Sequence, residues 1–183
     1  MFYGYESLNE IPDISKWKFN NLIHMSSIFG KCSSLKKIPD ISLWNTSNVL
    51  DIGGLFYNCL SLEELPYLSK WNTNKVIIMN SIFYGCKKIE FIPDISKWNI
   101  DKVINISLIF CDCHSLKTLP DISKWNIYNL NLERNIFDLF EKFKIYYEDM
   151  KLLSELMKSF SEEKDELNIN MSIGMPKIDS FLN

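Results

Sequence analysis

Apolar residues return mostly three apart along this chain, as in Ile38, Ile41, Trp44, Val49, Ile52, Leu55, Cys59 and Leu62. That spacing matches neither the alternation of a half-buried strand nor the 3.6 period of a long amphipathic helix. It suits a chain that turns several corners and sends one side chain inward at each step. The whole pattern then recurs at a displacement of 27 residues. Ile11-Pro12-Asp13-Ile14-Ser15-Lys16-Trp17 returns at Ile38 to Trp44, Leu65 to Trp71, Ile92 to Trp98 and Leu119 to Trp125, so all five Trp fall on one lattice. Other columns keep step: Leu22, Val49, Val76, Val103 and Leu130; Phe29, Phe56, Phe83, Phe110 and Phe137; Cys32, Cys59, Cys86 and Cys113. Such a period marks a repeat array, in which no unit closes a core alone and each buries its apolar face against its neighbours.

The unit length lies in the leucine-rich-repeat range, where each unit supplies one short parallel strand and a short helix or 3₁₀ turn. The expected fold class is therefore α/β: a leucine-rich-repeat-like solenoid of about five units over residues 1–132. The strand is placed at Leu35 to Ile38, ended by Pro39, since proline cannot donate to a sheet ladder. The helix is placed at Gly53 to Cys59, and at Ser26 to Lys31 in the preceding unit. The chain opens in mid-unit, with Phe2, Gly4 and Leu8 at the positions of Phe29, Lys31 and Leu35, which reads either as half a coil serving as N-terminal cap or, as the favoured expectation, as a truncated array. Beyond the fifth unit, Phe140, Phe143, Tyr147, Met150, Leu153, Met157 and Phe160 recur at helical spacing among Lys and Glu. A helical cap is expected over 133–162, followed by a loose tail over 163–183.

Composition narrows the function classes. With 46% apolar and 23% charged residues over 183 positions, the chain is globular rather than disordered. Its net charge of −3 offers no basic stripe to release phosphate counterions, so no nucleic-acid partner is expected. Its apolar runs fall far short of the roughly 20 residues of a membrane-spanning helix, and Met1-Phe2-Tyr3-Gly4-Tyr5-Glu6 carries no basic n-region or long h-region of a secretory signal. Neither membrane insertion nor an export address is read from these residues. Ala and Gln are absent and Arg134 is the single arginine. This bias toward Lys, Asn and Ile belongs to an AT-rich genome, so Lys and Asn excess marks no site.

Catalytic chemistry finds little footing. His24 and His114 stand about three units apart, and neither sits in a motif with a nucleophile and an orienting acid. Cys111-Asp112-Cys113-His114 lacks the second ligand pair of a structural zinc site. Gly53-Gly54 is too short for a phosphate cradle. No enzyme activity, metal or cofactor is expected. The cysteine column reads as buried free thiols. The Asp13, Asp40, Asp94, Asp121 column and the Asn45, Asn72, Asn99, Asn126 column read as turn caps, with the Asn amides bonding along the stack.

The unit Ile38-Pro39-Asp40-Ile41-Ser42-Leu43-Trp44-Asn45-Thr46-Ser47-Asn48-Val49, followed by Gly54-Leu55-Phe56-Tyr57-Asn58-Cys59-Leu60-Ser61-Leu62, resembles the repeat of the BspA-like leucine-rich-repeat surface proteins and the related mycoplasma-type lipoprotein repeat domain of unknown function. The resemblance covers about residues 1–137 and implies a non-enzymatic, right-handed solenoid on the surface of bacteria or parasitic protists, associated with adhesion and protein binding.

Within such an array the constant positions build the scaffold and the variable exposed ones can build a binding surface. Asn9-Glu10 stands before the first Ile/Leu-Pro step, and before the four that follow stand Lys36-Lys37, Glu63-Glu64, Glu90-Phe91 and Lys117-Thr118, the last eight of these being the candidates. Leu43 and Tyr67 replace the Lys and Asp of their columns. These ten residues are the candidate surface for a protein partner, and a protein-interaction or adhesion module is the expected function. The alternative is a passive spacer or truncated piece of a longer surface adhesin without binding of its own.

Overall fold

The computed structural model describes residues 1–19, 21–122 and 124–125, all within one compact unit. The chain winds into stacked coils, 11–37, 38–64, 65–91 and 92–118, opened by residues 1–10 and followed by the start of another at Leu119. Parallel bridges His24–Asp51, Asp51–Ile78 and Ile78–Asn105 fix the register at one repeat per coil. Beside them run the backbone bonds Leu50 N to Ile23 O, Ile77 N to Leu50 O and Ile104 N to Ile77 O, at 2.8, 2.8 and 2.9 Å.

The expected α/β class is not what forms: among the described residues there is no helix, and pairing is confined to isolated bridges. The segment placed as a helix, Gly53 to Cys59, is a run of overlapping β-turns closed by Leu55 N to Ile52 O, Tyr57 N to Gly54 O and Cys59 N to Phe56 O. Past its first turn, an α-helix would bond each N–H to the carbonyl four residues back. Here Gly54, Phe56 and Asn58 send theirs to Asn80 O, Ile82 O and Tyr84 O of the next coil. Gly54 and Asn58 lie at φ +62° and +55°, in the left-handed region that no right-handed helix admits. The same two places per coil are left-handed throughout: Ser27 and Lys31, Ser81 and Gly85, Leu108 and Asp112. A left-handed third residue is the mark of a type II turn.

The strand placed at Leu35 to Ile38 is likewise absent. Leu35 N turns back to Cys32 O and proline follows at residue 39, so one bridge, Lys37–Glu64, is all the segment supports. The helical cap placed over 133–162 and the tail over 163–183 lie outside the described residues.

Identical side chains one coil apart make the core. Phe2, Phe29, Phe56, Phe83 and Phe110 stack with ring centroids 5.7–5.8 Å apart. Each buried Trp anchors its coil to the one before. The indole N–H of Trp44, Trp71, Trp98 and Trp125 donates to Ile14, Ile41, Leu68 and Ile95 carbonyls. Trp17 belongs to the first coil and stays 39% exposed.

The thiols act in the same way. Cys32, Cys59, Cys86 and Cys113 are buried, outside any disulfide, and donate to the carbonyls of Phe2, Phe29, Phe56 and Phe83 one coil back. Burial pushes the Cys59 thiol up to about 12, because an apolar surround disfavours the thiolate.

The Asp column caps its own corner. Asp13, Asp40 and Asp94 accept from the N–H groups of Ser15, Ser42 and Ser96 in Asx turns. These bonds to serine hold the three carboxyls below the usual range. Asn45, Asn72 and Asn99 also cap within their own coil, onto residues 47, 74 and 101. They do not form the amide ladder along the stack that the sequence suggested. The bonds along the stack come from buried threonines. Thr46 Oγ1 donates to Asn72 O and accepts from Asn72 N, and Thr73 does the same with Asn99.

Candidate functional site

With the turns, carbonyls and core columns committed to stacking, the positions left to vary are exposed. Lys36, Lys37, Glu63, Glu64, Glu90, Phe91, Lys117 and Thr118 are all exposed and lie on one strip. The backbone places them there. Glu63 N bonds Lys36 O at 2.8 Å, Lys117 N bonds Glu90 O at 3.0 Å, and Lys37 pairs with Glu64. Successive coils in such a parallel arrangement stand about 4.8 Å apart, so the side chains form two short columns.

The columns carry mixed charge. Lys117 Nζ donates to Glu90 Oε2 at 2.6 Å and lies 5.4 Å from the centroid of the Phe91 ring. Lys88 Nζ stands 3.5 Å from Glu63 Oε1. Both ion pairs are more than half exposed, and pairs in that setting contribute about 0–1 kcal/mol. They order the side chains more than they stabilise the fold. Phe91 is 59% exposed with a cation over its ring, which makes a small amphipathic platform.

Leu43 and Tyr67 stand elsewhere in the coil, on the Pro-Asp-Ile-Ser-x-Trp segment and its Leu-Pro-Tyr counterpart, at 71% and 77% exposure. The candidate residues thus divide into a charged strip with Phe91 at its centre and two apolar residues on the neighbouring corner.

Sequence reasoning missed a second surface column, half-buried in the structure. Tyr57 and Tyr84 stack at 5.1 Å, and a hydrogen bond with Asp112, together with that group's charge, pushes the Tyr84 phenol up. The signal was available, since both tyrosines sit on the same lattice position. An aliphatic column, Ile23, Leu50, Ile77 and Ile104, also faces outward, with Ile23 and Ile104 at 45% and 60% exposure.

Among the described residues, no group of three His, Cys, Asp or Glu side chains could hold a metal ion, and no helix is long and apolar enough to cross a membrane. Comparison with curated proteins and with solved structures gives no match. The comparison with family models does: residues 1–66 and 63–172 match the model described as Mycoplasma protein of unknown function, DUF285. The two matched segments together span the repeat lattice and much of the region after it, and the chain belongs to this family.

Proposed function

We propose that the chain is a non-enzymatic display scaffold. It holds the strip of Lys36, Lys37, Glu63, Glu64, Glu90, Phe91, Lys117 and Thr118, with Leu43 and Tyr67 on the adjoining corner, for recognition of a protein partner. The observation that carries this reading is the division of labour within the repeat. Trp, Cys, Thr, Asp and Asn side chains are engaged with a neighbouring coil or their own turn. The strip keeps its backbone in the inter-coil bonding and varies its exposed side chains from coil to coil. A rigid backbone with variable side chains lowers the ordering cost of binding.

The BspA-like resemblance supports the same reading, with adhesion at a cell surface as its setting. On this proposal no cofactor, metal or nucleic acid takes part.

The test is site-specific photo-crosslinking on the folded full chain. A photoreactive side chain at position 91 or 118 should capture one protein, identified by mass spectrometry and then rebound in purified form. The same group at the exposed Lys102, outside both the strip and the Leu43–Tyr67 corner, should capture it far less. Phe91→Ala combined with Tyr67→Ala should weaken the purified interaction by tenfold or more, about 1.4 kcal/mol. Equal capture at all three positions, or unaltered affinity in the double variant, would refute the assignment and favour a passive spacer.

A further inference from the structure

We propose that Asn45 is an acceptor for N-linked glycosylation, a modification site distinct from the binding strip and independent of the reading above. The chain carries three Asn-x-Ser triplets: Asn45-Thr46-Ser47, Asn105-Ile106-Ser107 and Asn170-Met171-Ser172, the last outside the described residues. Such a triplet is common in an Asn-rich chain and by itself ranks nothing. Geometry ranks them.

At Asn45 both groups of the third residue converge on one atom. Ser47 Oγ donates to Asn45 Oδ1 at 2.7 Å and Ser47 N donates to it at 3.1 Å. Two donors on the amide oxygen draw electron density away from nitrogen and make the Nδ2 protons more acidic. A neutral carboxamide nitrogen is a poor nucleophile, and the more acidic proton is the one that a base on the transferase has to remove as the new bond forms. Asn45 is exposed, and its Nδ2 makes no hydrogen bond among the described residues.

The repeat provides its own controls. Asn72 occupies the same lattice position and makes the same turn, but its third residue is Asn74, which brings only a backbone donor. Asn99 has Asp101 there, and its Nδ2 is spent on Asp101 Oδ2 at 3.0 Å. Asn105 has the same serine geometry as Asn45, with bonds of 2.7 and 3.0 Å. It is half-buried, however, and its carbonyl receives Met79 N in the inter-coil ladder. A transferase would have to break that ladder to take hold of it. The backbone at 45–47 gives no bond to another coil among the described residues, where only the Thr46 hydroxyl reaches the next one.

The co-reactant is an oligosaccharide carried on a polyprenyl pyrophosphate. Asn45 Nδ2 attacks the anomeric carbon of the first sugar while a carboxylate base on the transferase removes one amide proton. The N–C bond forms as the bond from that carbon to the phosphate oxygen breaks. Lipid pyrophosphate leaves with the electron pair, and no oxidant or reductant is involved.

The test uses the folded full chain with a single-subunit oligosaccharyltransferase and its lipid-linked oligosaccharide, the preparation first shown active on a free Asn-Thr-Ser peptide. Intact mass and peptide mapping should find a glycan at Asn45. Asn45→Gln and Ser47→Ala should each lose it with the near-ultraviolet circular dichroism of the Trp stack unchanged. A folded chain left unmodified at Asn45, or modification of Asn105 at the same rate, would each overturn the proposal.

Discussion

Replacing Trp71 by Ala tests whether the coils hold each other through their tryptophans. Trp71 is 4% exposed, stacks on Trp98 at 6.4 Å and donates its indole N–H to Ile41 O at 3.0 Å. Truncation removes a large ring from two coil interfaces at once, and burial-matched Trp truncations cost about 3–5 kcal/mol. The lost hydrogen bond sits at the low end of its range, about 1 kcal/mol, because Ile41 O also accepts from Trp44 N and is not left orphaned. Trp71→Phe isolates that smaller share. Trp17→Ala is the control. That ring is 39% exposed and meets Phe2 and Phe19 at 6.2 and 6.1 Å. Among the described residues it has no carbonyl of an earlier coil to reach, so its cost should be about 1–2 kcal/mol. Urea unfolding followed by near-ultraviolet circular dichroism reads the difference. With a slope of about 2 kcal/mol per molar, Trp71→Ala should lower the midpoint by about 2 M and Trp17→Ala by less than half of that. Equal shifts for the two variants would refute the coil-to-coil anchoring argument, whatever their size.

Two further outcomes follow from the same geometry. The folded Cys59 thiol, pushed up to about 12, lies above its unfolded value of about 8.5, so the stability it contributes is complete below that lower value and is lost as pH rises toward the upper one. Urea midpoints taken between pH 8 and pH 10.5 should fall by the equivalent of about 2 kcal/mol in the parent chain and by clearly less in Cys59→Ala. Gly85→Ala places a Cβ against Asn58 Oδ1 at a backbone φ of +72°, at a cost of about 2–3 kcal/mol. Part of that should return in the double variant with Asn58→Gly, which removes the obstructing side chain, and a thermal melt of the three proteins checks it.

The sequence and the fold agree on register and disagree on conformation, for a physical reason. Recurring Phe, Cys and Trp show which positions face inward, because a stack rewards the same side chain at each level. The three-residue spacing that reads as short helix is equally the spacing of overlapping turns. Gly4, Gly54, Asn58, Gly85 and Asp112, at two positions four apart, are the residues that favour the turns. The Asn column misleads because an Asn side chain reaches its own third residue more readily than the next coil. The Thr column hides because it occupies two coils and is Ile100 in the third. In the candidate strip, exposure was legible from variability, whereas the seating of Lys117 over Phe91 and the division from Leu43 and Tyr67 needed coordinates.

The left-handed positions lead to a last prediction, one that runs against packing intuition. Coil by coil, the first of them is Ser27, Gly54, Ser81 and Leu108, and Leu108 holds φ +58° with a γ-branched side chain. That backbone costs roughly 1–2 kcal/mol for any residue with a Cβ. Glycine removes the cost, returns about 0.5–1 kcal/mol as unfolded-state entropy, and gives up a side chain that is only half-buried. Leu108→Gly should therefore leave the urea midpoint unchanged or raise it slightly. The same change at the adjacent, fully buried Ile109 should cost several kcal/mol, of order 4. The comparison separates turn from helix at this place in the coil. In a helix Leu108→Gly would destabilise by about 1 kcal/mol before any packing loss, so a lowered midpoint for Leu108→Gly would return the segment to the helical reading that the left-handed backbone excludes.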